Sequence, residues 1–326
     1  MLRKLGTLIA LVALAAALVS CTGGGGSAES AEDYPSDDVT LLVPYGAGGP
    51  TDLAARTVAK YYEDEFGQTV LVENMAGASG AQAMNELKSS QSDGYTIAII
   101  AAPATVVVPL IEDVGYTADD FTTVGVITII PSVLAVRNDS EYETAEDFFA
   151  AAKENPGKLN VGIPGANTSQ GLEMQRLAEE YDIELSLVPF KGNAAMTSAL
   201  LGGNVDAVFI NASEDVLANI EGGEFKPLAV SPPERVEYLS DVPTLKELGY
   251  EDLTNSVSIF ALAAPNGTPE EIIAKLESTL EEALQDEKVR EQLGEQYVPE
   301  EFIGSEELRQ RLNDIVEAYE PLLKEN

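Results

Sequence analysis

The residues best suited to chemistry form a glycine-rich turn at positions 44–52, Pro-Tyr-Gly-Ala-Gly-Gly-Pro-Thr-Asp. The turn follows an apolar run at 39–43 and precedes a helical pattern that begins at Leu53. Glycines expose backbone N–H groups, and the first turn of a helix has unpaired donors and a partial positive charge. With Thr51 or Asp52 expected at the helix N-cap, this turn predicts an anion site. A tight strand-to-helix connection alone would explain the same residues.

Three further turns repeat this arrangement after later strand-like runs, at positions 76–81, 162–169 and 188–195. The second of these contains Asn167, Thr168 and Ser169, whose side chains can donate hydrogen bonds or cap a helix. The third contains Lys191, which is either a cation for the ligand or an ordinary exposed lysine. Because α/β sheets bind ligands at the carboxyl ends of their strands, two facing sets of such turns predict a cleft.

The charge of the chain limits its partners and its chemistry. The sequence has 55 acidic and 19 basic residues, a formal net charge of -36, no histidine and one cysteine. Nucleic acids and anionic membranes are therefore poor partners, and catalysis or metal binding by histidine is excluded. We expect no cofactor and no bound metal. The acidity itself fits either a saline habitat or an ordinary surface kept soluble by carboxylates.

The N-terminus has the pattern of an export signal. Arg3 and Lys4 precede an apolar run at 5–19, which is short for a membrane span. Cys21 ends this run in the sequence Leu-Val-Ser-Cys, which resembles a bacterial lipobox, so residues 1–21 are interpreted as a lipoprotein signal with Cys21 as the lipidated residue. Residues 22–36 then form a flexible tether to an extracytoplasmic domain anchored to the cell membrane. An uncleaved N-terminal anchor is the alternative.

Apolar runs and amphipathic stretches alternate along the rest of the chain, which predicts an α/β fold with mainly parallel sheets. Strands are expected at 39–43, 69–72, 96–100, 159–163, 185–188 and 205–210, and helices at 53–66, 81–88, 145–153, 172–181 and 194–201. Two longer runs, 124–136 and 257–264, suggest that the chain crosses to a second domain and returns. We therefore expect a discontinuous domain of 37–130 and 256–326, with a helical C-terminal tail, and an inserted domain of 131–255.

Two other functions are weighed against an anion receptor. Gly46 and Gly48 follow a strand and Glu73 ends the next one, as in a dinucleotide-binding fold, but Thr51 replaces the third glycine and an exported protein meets no cytosolic NAD pool. A surface hydrolase with paired carboxylates is also possible, yet no acidic pair stands out by local motif.

Taken together, the turns resemble those of the extracytoplasmic solute receptors of the tripartite tricarboxylate transporter system, the TctC or Bug family. The similar stretches are residues 43–56, 72–80, 93–96, 161–169, 189–192, 201–206 and 264–269. The resemblance implies a two-lobed, type II periplasmic-binding-protein fold of the Venus-flytrap kind. It also implies a receptor that closes on a small di- or tricarboxylate, or a related acid, and delivers it to membrane permease subunits. We expect the protein to be a monomer. A solute-sensing co-receptor for a membrane signalling protein is the alternative.

The resemblance also implies which residues bind the ligand. In the family, loops that match 48–52 and 78–80 hold the carboxylate, and waters bridge to segments that match 167–169 and 191–195. The family commonly has a histidine at the position of Gly171, so its second contact to the ligand does not carry over. The expected ligand-binding residues are Tyr45, Gly48, Gly49, Thr51, Asp52, Ala78, Ser79, Gly80, Asn167, Thr168, Ser169, Lys191, Gly192, Asn193 and Ala195.

Overall fold

The chain folds into alternating strands and helices, described by a computed structural model for residues 33–251, 253–254 and 256–323. The predicted signal 1–21, with Cys21, and residues 22–32 of the tether lie outside the described residues. The strands are β1 Val39–Val43, β2 Val70–Asn74, β3 Thr96–Ala102, β4 Phe121–Arg137, β5 Asn160–Ile163, β6 Ser186–Pro189, β7 Ala207–Asn211, β8 Phe225–Val230 and β9 Val257–Pro265. The helices are α1 Pro50–Phe66, α2 Ala81–Ser89, α3 Ala104–Ile111, α4 Ala145–Glu154, α5 Ser169–Tyr181, α6 Asn193–Leu201, α7 Glu214–Glu221, α8 Glu270–Gln285, α9 Glu287–Leu293 and α10 Ser305–Leu323.

The strands pair in the order β2-β1-β3-β9-β4-β7-β5-β6, and β8 also pairs with β4. Strand β4 belongs to two sheets: its residues from Phe121 to Pro131 pair with β9, and those from Ser132 onward pair with β7. We call the part built on β1, β2, β3, β9 and the start of β4 the first lobe, and the part built on β5 to β8 and the end of β4 the second lobe. The apolar run at 124–136 is thus one long strand that passes from one lobe into the other.

The sheets are mixed rather than mainly parallel. Strands β1, β2 and β3 are parallel to one another, as are β5, β6 and β7, which explains why glycine-rich turns follow several of them. Strands β4 and β9, in contrast, run antiparallel to their neighbours. Each parallel pair needs a crossover connection, which the helices provide. The chain enters the second lobe through β4 and returns through β9, and this path gives these two strands their antiparallel direction.

Each lobe has its own hydrophobic core. In the first lobe Met84, Leu87 and Ile100 pack with the C-terminal helix α10 through Leu308, and in the second lobe Phe148 and Phe209 are among the buried residues. Helix α5 contributes to both cores: Leu172 packs in the first, and Met174 and Leu177 pack in the second. The start of α5 is therefore held between the two lobes.

Most elements lie within a few residues of the positions expected from the sequence. Strand β1 and the start of α2 coincide with the prediction, and α1 and α5 begin three residues earlier than their apolar patterns. Helix α3, helix α7 and strand β8 were not predicted. Within the described part of the chain, no helix is both long enough and apolar enough to cross a membrane.

Candidate functional site

A cavity of about 210 Å³ is lined by residues of both lobes. Four helices begin at its walls: α1 at Pro50, α3 at Ala104, α5 at Ser169 and α6 at Asn193. The first N–H groups of a helix have no acceptor within the helix, and the helix dipole places a partial positive charge there. The cavity is therefore surrounded by backbone donors that favour a negatively charged group.

The glycine-rich turn before α1 exposes these donors. Gly49 is the N-cap of α1, with no side-chain cap, and Pro50 begins the helix. The expectation of Thr51 or Asp52 at the N-cap is wrong, because proline fits the first helical position and has no N–H that needs a partner. The N–H groups of Thr51 and Asp52 are thus the first free donors of α1, and the Thr51 side chain lines the cavity.

The side chain of Asp52 does not line the cavity but binds the glycine-rich turn on its other side. Its carboxylate accepts hydrogen bonds from Gly48 N at 2.9 Å, from Arg56 Nε at 3.0 Å and from Asn74 Nδ2 at 3.0 Å. Asn74 also donates to the Tyr45 carbonyl oxygen at 3.0 Å. Burial alone would raise the pKa of Asp52, but these hydrogen bonds and the charge of Arg56 outweigh it and lower the pKa. The ionised carboxylate therefore fixes both ends of the turn.

In the second lobe, two turns present donors in the same way. Thr168 caps α5 by accepting a hydrogen bond from Gly171 N at 3.2 Å, which leaves the N–H groups of Ser169 and Gln170 for other acceptors. Gly192 is the N-cap of α6 with a φ of 130°, and no side chain caps that helix. The first N–H groups of α6, which include those of Asn193 and Ala195, are therefore available beside the cavity.

The charge around the cavity contrasts with the charge of the chain. None of the described residues that line it is acidic, although the sequence contains 55 acidic residues. Lys191 is the charged side chain in the lining, and no described residue forms an ion pair with it. Burial raises the pKa of Tyr45 to about 12, so its phenol stays protonated and neutral at pH 7. The cavity can accept an anion without repulsion from neighbouring side chains.

Nine of the fifteen predicted ligand-binding residues line this cavity: Tyr45, Gly49, Thr51, Thr168, Ser169, Lys191, Gly192, Asn193 and Ala195. Gly48 and Asp52 border a separate cavity behind the turn. The remaining four, Ala78, Ser79, Gly80 and Asn167, line neither of these cavities. Ala78 and Ser79 have positive φ angles of 46° and 53°, and a Cβ atom on Gly80 would lie 3.1 Å from Pro44 Cβ. Asn167 Nδ2 donates across the lobes to Glu112 Oε1 at 2.9 Å.

Sequence reasoning missed several residues of the lining. Residues 101–104 come from the end of β3 and the start of α3, and Asn211 ends β7. Asn211 could have been found, since it is a polar residue at the end of an apolar strand, but residues 101–104 contain no glycine-rich turn of the kind that marked the other strand ends. No local signal in the sequence marks Gln170, Ser258 and Phe260. They line the cavity only because α5 and β9 fold against it.

Gly171 is required by the packing of its own turn. A Cβ atom at this position would lie 2.3 Å from the Gly165 carbonyl oxygen and 2.4 Å from that of Ala166. The turn at 165–168 therefore covers the space that a side chain would occupy. The resemblance implied a histidine at this position in similar receptors, and in this chain the backbone of the turn fills that space.

The chain is similar in sequence to known proteins. Residues 54–326 match the family described as TctC, "Tripartite tricarboxylate transporter family receptor". The chain is 34% identical to the "UPF0065 protein in the TAR-I ttuE-ttuC' intergenic region" of Agrobacterium vitis, over 81% of this chain and 76% of that protein.

Two solved structures with a bound acid have the same fold as this chain. One is described as Rpa4515 of R. palustris with adipate, with a TM-score of 0.80 and 30% identity over 90% of this chain and 98% of that chain. The other is MatC of Rhodopseudomonas palustris with bound malate, with a TM-score of 0.80 and 28% identity over 89% of this chain and 100% of that chain.

Proposed function

This chain belongs to the TctC family of tripartite tricarboxylate transporter receptors, and on that premise we propose that it captures a small organic carboxylate for uptake by such a transporter. The family match confirms the resemblance seen in the sequence motifs. The single observation that carries the proposal is the cavity between the lobes, where four helix N-termini meet and no described lining residue is acidic. The adipate and malate found in two similar proteins belong to the same class of ligand.

The available donors are sufficient for binding without a buried salt bridge. A hydrogen bond to a charged group contributes roughly 1.5–3 kcal/mol, and a helix start adds about 0.3–1 kcal/mol. Four or five such donors can offset the cost of association and reach about -8 kcal/mol, which corresponds to micromolar affinity. We propose that the fifteen expected residues contribute either directly, as Thr51 and Ser169 do from the lining, or by holding the turns, as Asp52 does.

We propose that binding closes the two lobes around the solute. We propose that the two domains are 37–130 with 256–326 and the inserted 131–255, so that the hinge lies where β4 passes from Pro131 to Ser132 and where β9 returns. Contacts such as Asn167 to Glu112 would then form in the closed state. Small-angle X-ray scattering should show a smaller radius of gyration with ligand, and an unchanged radius at saturation would refute closure.

The receptor is proposed to carry the acid unchanged to permease subunits while anchored by a lipid on Cys21. The absence of histidine from the sequence and of acidic residues from the described lining supports binding without catalysis. Mass spectrometry of the bound acid after long incubation should return the compound that was added. Mass spectrometry of the exported protein should find the lipid on Cys21, and Cys21→Ala should release the protein from membranes.

The proposal is tested by a thermal-shift screen of di- and tricarboxylates, acidic amino acids and aromatic acids. A ligand that prefers the folded state raises the melting temperature in a saturable way. Any added salt also stabilises a chain with net charge -36, because it screens the repulsion between the carboxylates. Every sample is therefore held at constant ionic strength with sodium chloride.

Neutral analogues of the same shape are the matched controls, such as adipamide for adipate. We expect a saturable shift with at least one organic acid and none with its amide. If no organic anion gives a saturable shift at constant ionic strength, the proposed function is wrong.

A further inference from the structure

Four polar side chains that line the cavity are hydrogen-bonded to one another: Ser169, Gln170, Asn211 and Ser258. Ser169 Oγ donates to Gln170 Oε1 at 3.1 Å, and Gln170 Nε2 donates to Asn211 Oδ1 at 2.7 Å. Ser258 Oγ also donates to Asn211 Oδ1, at 2.8 Å. We call these residues the polar floor of the cavity. Ser258 lies on β9 of the first lobe and the other three belong to the second lobe, so the floor joins the two.

The floor fixes the direction of the Asn211 amide. Its Oδ1 atom already accepts from two donors, so its Nδ2 atom is the end left for the cavity. Turning this amide over by itself would place Nδ2 against Gln170 Nε2, two donors facing each other. The side chain is only 7% exposed, and no described residue accepts a hydrogen bond from Nδ2. A bound ligand that accepts from this donor gains a hydrogen bond in a site largely shielded from water, and with it affinity.

We infer that Asn211 is a specificity-determining residue that donates from Nδ2 to a second oxygen acceptor on the ligand. The inference rests on the proposed function, because the first carboxylate is held by the helix N-termini. A monocarboxylate that is held there offers no acceptor to Asn211 Nδ2, whereas a dicarboxylate, or an acid with a carbonyl oxygen at its far end, offers one. A site built to hydrogen-bond a polar group discriminates against the analogue that lacks the group. The receptor therefore prefers acids with two separated acceptor groups.

The test uses the intact receptor and two pairs of acids, adipate with hexanoate and succinate with butyrate, measured by isothermal titration calorimetry. Each pair has the same number of carbon atoms and differs in the second carboxylate. We expect the wild-type protein to bind the dicarboxylate of at least one pair about tenfold or more tightly than its monocarboxylate, as one hydrogen bond to a charged group provides.

Asn211→Asp is the decisive variant. Its carboxylate still accepts from Gln170 and Ser258, so the floor is retained, but an acceptor replaces the donor that faces the ligand. We expect the preference for the dicarboxylate to disappear, with a loss of roughly 100-fold in its affinity and a much smaller change for the monocarboxylate. Asn155→Asp, an exposed position at the end of α4, introduces the same charge and should keep the wild-type preference.

Gln170→Glu provides a second variant in case Asn211→Asp folds poorly. A carboxylate at this position cannot donate to Asn211 Oδ1 and instead accepts from Nδ2, which turns the amide away from the ligand. We expect the ratio of dicarboxylate to monocarboxylate affinity to fall by about tenfold, since one charge-assisted hydrogen bond is lost.

Two results would overturn the inference about Asn211 but not the proposed function. One is a wild-type protein that binds both acids of each pair equally, and the other is a wild-type preference that survives in Asn211→Asp and Gln170→Glu. In both cases carboxylate binding, and with it the proposed function, would stand. A wild-type protein that binds none of the acids in the wider screen would overturn both.

Discussion

The substitution Gly171→Ala adds one methyl group at the start of α5 and tests whether the turn at 165–168 is packed on the helix as the structure describes. The new Cβ atom would lie 2.3 Å from the Gly165 carbonyl oxygen and 2.4 Å from the Ala166 carbonyl oxygen. Both oxygens must retreat by about 1 Å to reach an ordinary contact. They are not free to do so, because Thr168 Oγ1 donates to the first at 2.7 Å and Gln175 Nε2 donates to the second at 2.8 Å.

The magnitude follows from two opposed effects. Overpacking of a well-filled site costs typically about 1–3 kcal/mol, while alanine is favoured over glycine within a helix by about 1 kcal/mol. We therefore expect Gly171→Ala to lower the free energy of unfolding by up to about 2 kcal/mol. Displacement of the turn also moves the N–H groups of Ser169 and Gln170, so we expect the affinity for the bound carboxylate to fall by about tenfold, the equivalent of one hydrogen bond to a charged group.

The free energy of unfolding is measured by urea denaturation, and the affinity by calorimetry. Gly46→Ala is the matched control for stability, because a Cβ atom at Gly46 meets nothing within 4 Å and its φ is not in the left-handed region. We expect this control to be as stable as the wild-type protein or slightly more stable. If Gly171→Ala retains wild-type stability and affinity, the turn is not packed against the helix start and the reasoning is refuted.

Three further substitutions test the supports of the cavity. Asp52→Ala should lower stability by about 1–3 kcal/mol at pH 7 and weaken carboxylate binding, because it removes the ion pair of Arg56 and frees the glycine-rich turn. Since the folded-state pKa of Asp52 is lowered, its stabilisation is present above pH 4 and is lost as the pH falls through that pKa, so the difference from wild type should shrink in acid. Lys191→Gln should weaken carboxylate binding by up to about fivefold, and the loss should fade at high salt because the side chain is exposed. Tyr297→Phe removes the hydrogen bond from its hydroxyl to the Ala212 carbonyl oxygen at 2.5 Å and should lower the free energy of unfolding by about 1–3 kcal/mol.

Controls for these substitutions come from exposed residues of the same type. Asp64→Ala removes a carboxylate that is 69% exposed and should change stability little. Lys158→Gln makes the same charge change as Lys191→Gln outside the described lining and should leave affinity unaltered. Equal effects from a substitution and its control would show that net charge, and not the local contact, is responsible. For Tyr297→Phe, an unchanged urea midpoint would contradict the expected loss.

Helix α3 shows why the sequence could not predict the whole site. Its sequence, Ala-Thr-Val-Val-Val-Pro-Leu-Ile, is rich in β-branched residues and contains a proline, so local preference favours a strand. Residues Ala104 to Val108 are all buried, and packing against the first lobe outweighs that preference. The N-terminus of α3 therefore joins the cavity without a signal in the local pattern.

Asp52 and Asn211 show a second limit. The sequence placed Asp52 in the right turn, but only the fold shows that its carboxylate points to Gly48 N, Arg56 and Asn74 and not to the ligand. Asn211 is one polar residue at the end of an apolar strand, and its significance depends on Gln170 and Ser258, which are distant in sequence. A side chain's direction depends on such partners, and a pattern of residue types does not contain them.

The sequence by itself determined the α/β class and the glycine-rich turns at strand ends, because these depend on local periodicity and on the backbone freedom of glycine. Its motifs also resembled those of a two-lobed receptor family. Tertiary structure alone decided that four helix N-termini meet at one cavity, that Gly171 is covered by its own turn, and that the Asn211 donor faces the ligand space. These features arise where segments far apart in the chain pack together, so their geometry follows from the fold as a whole.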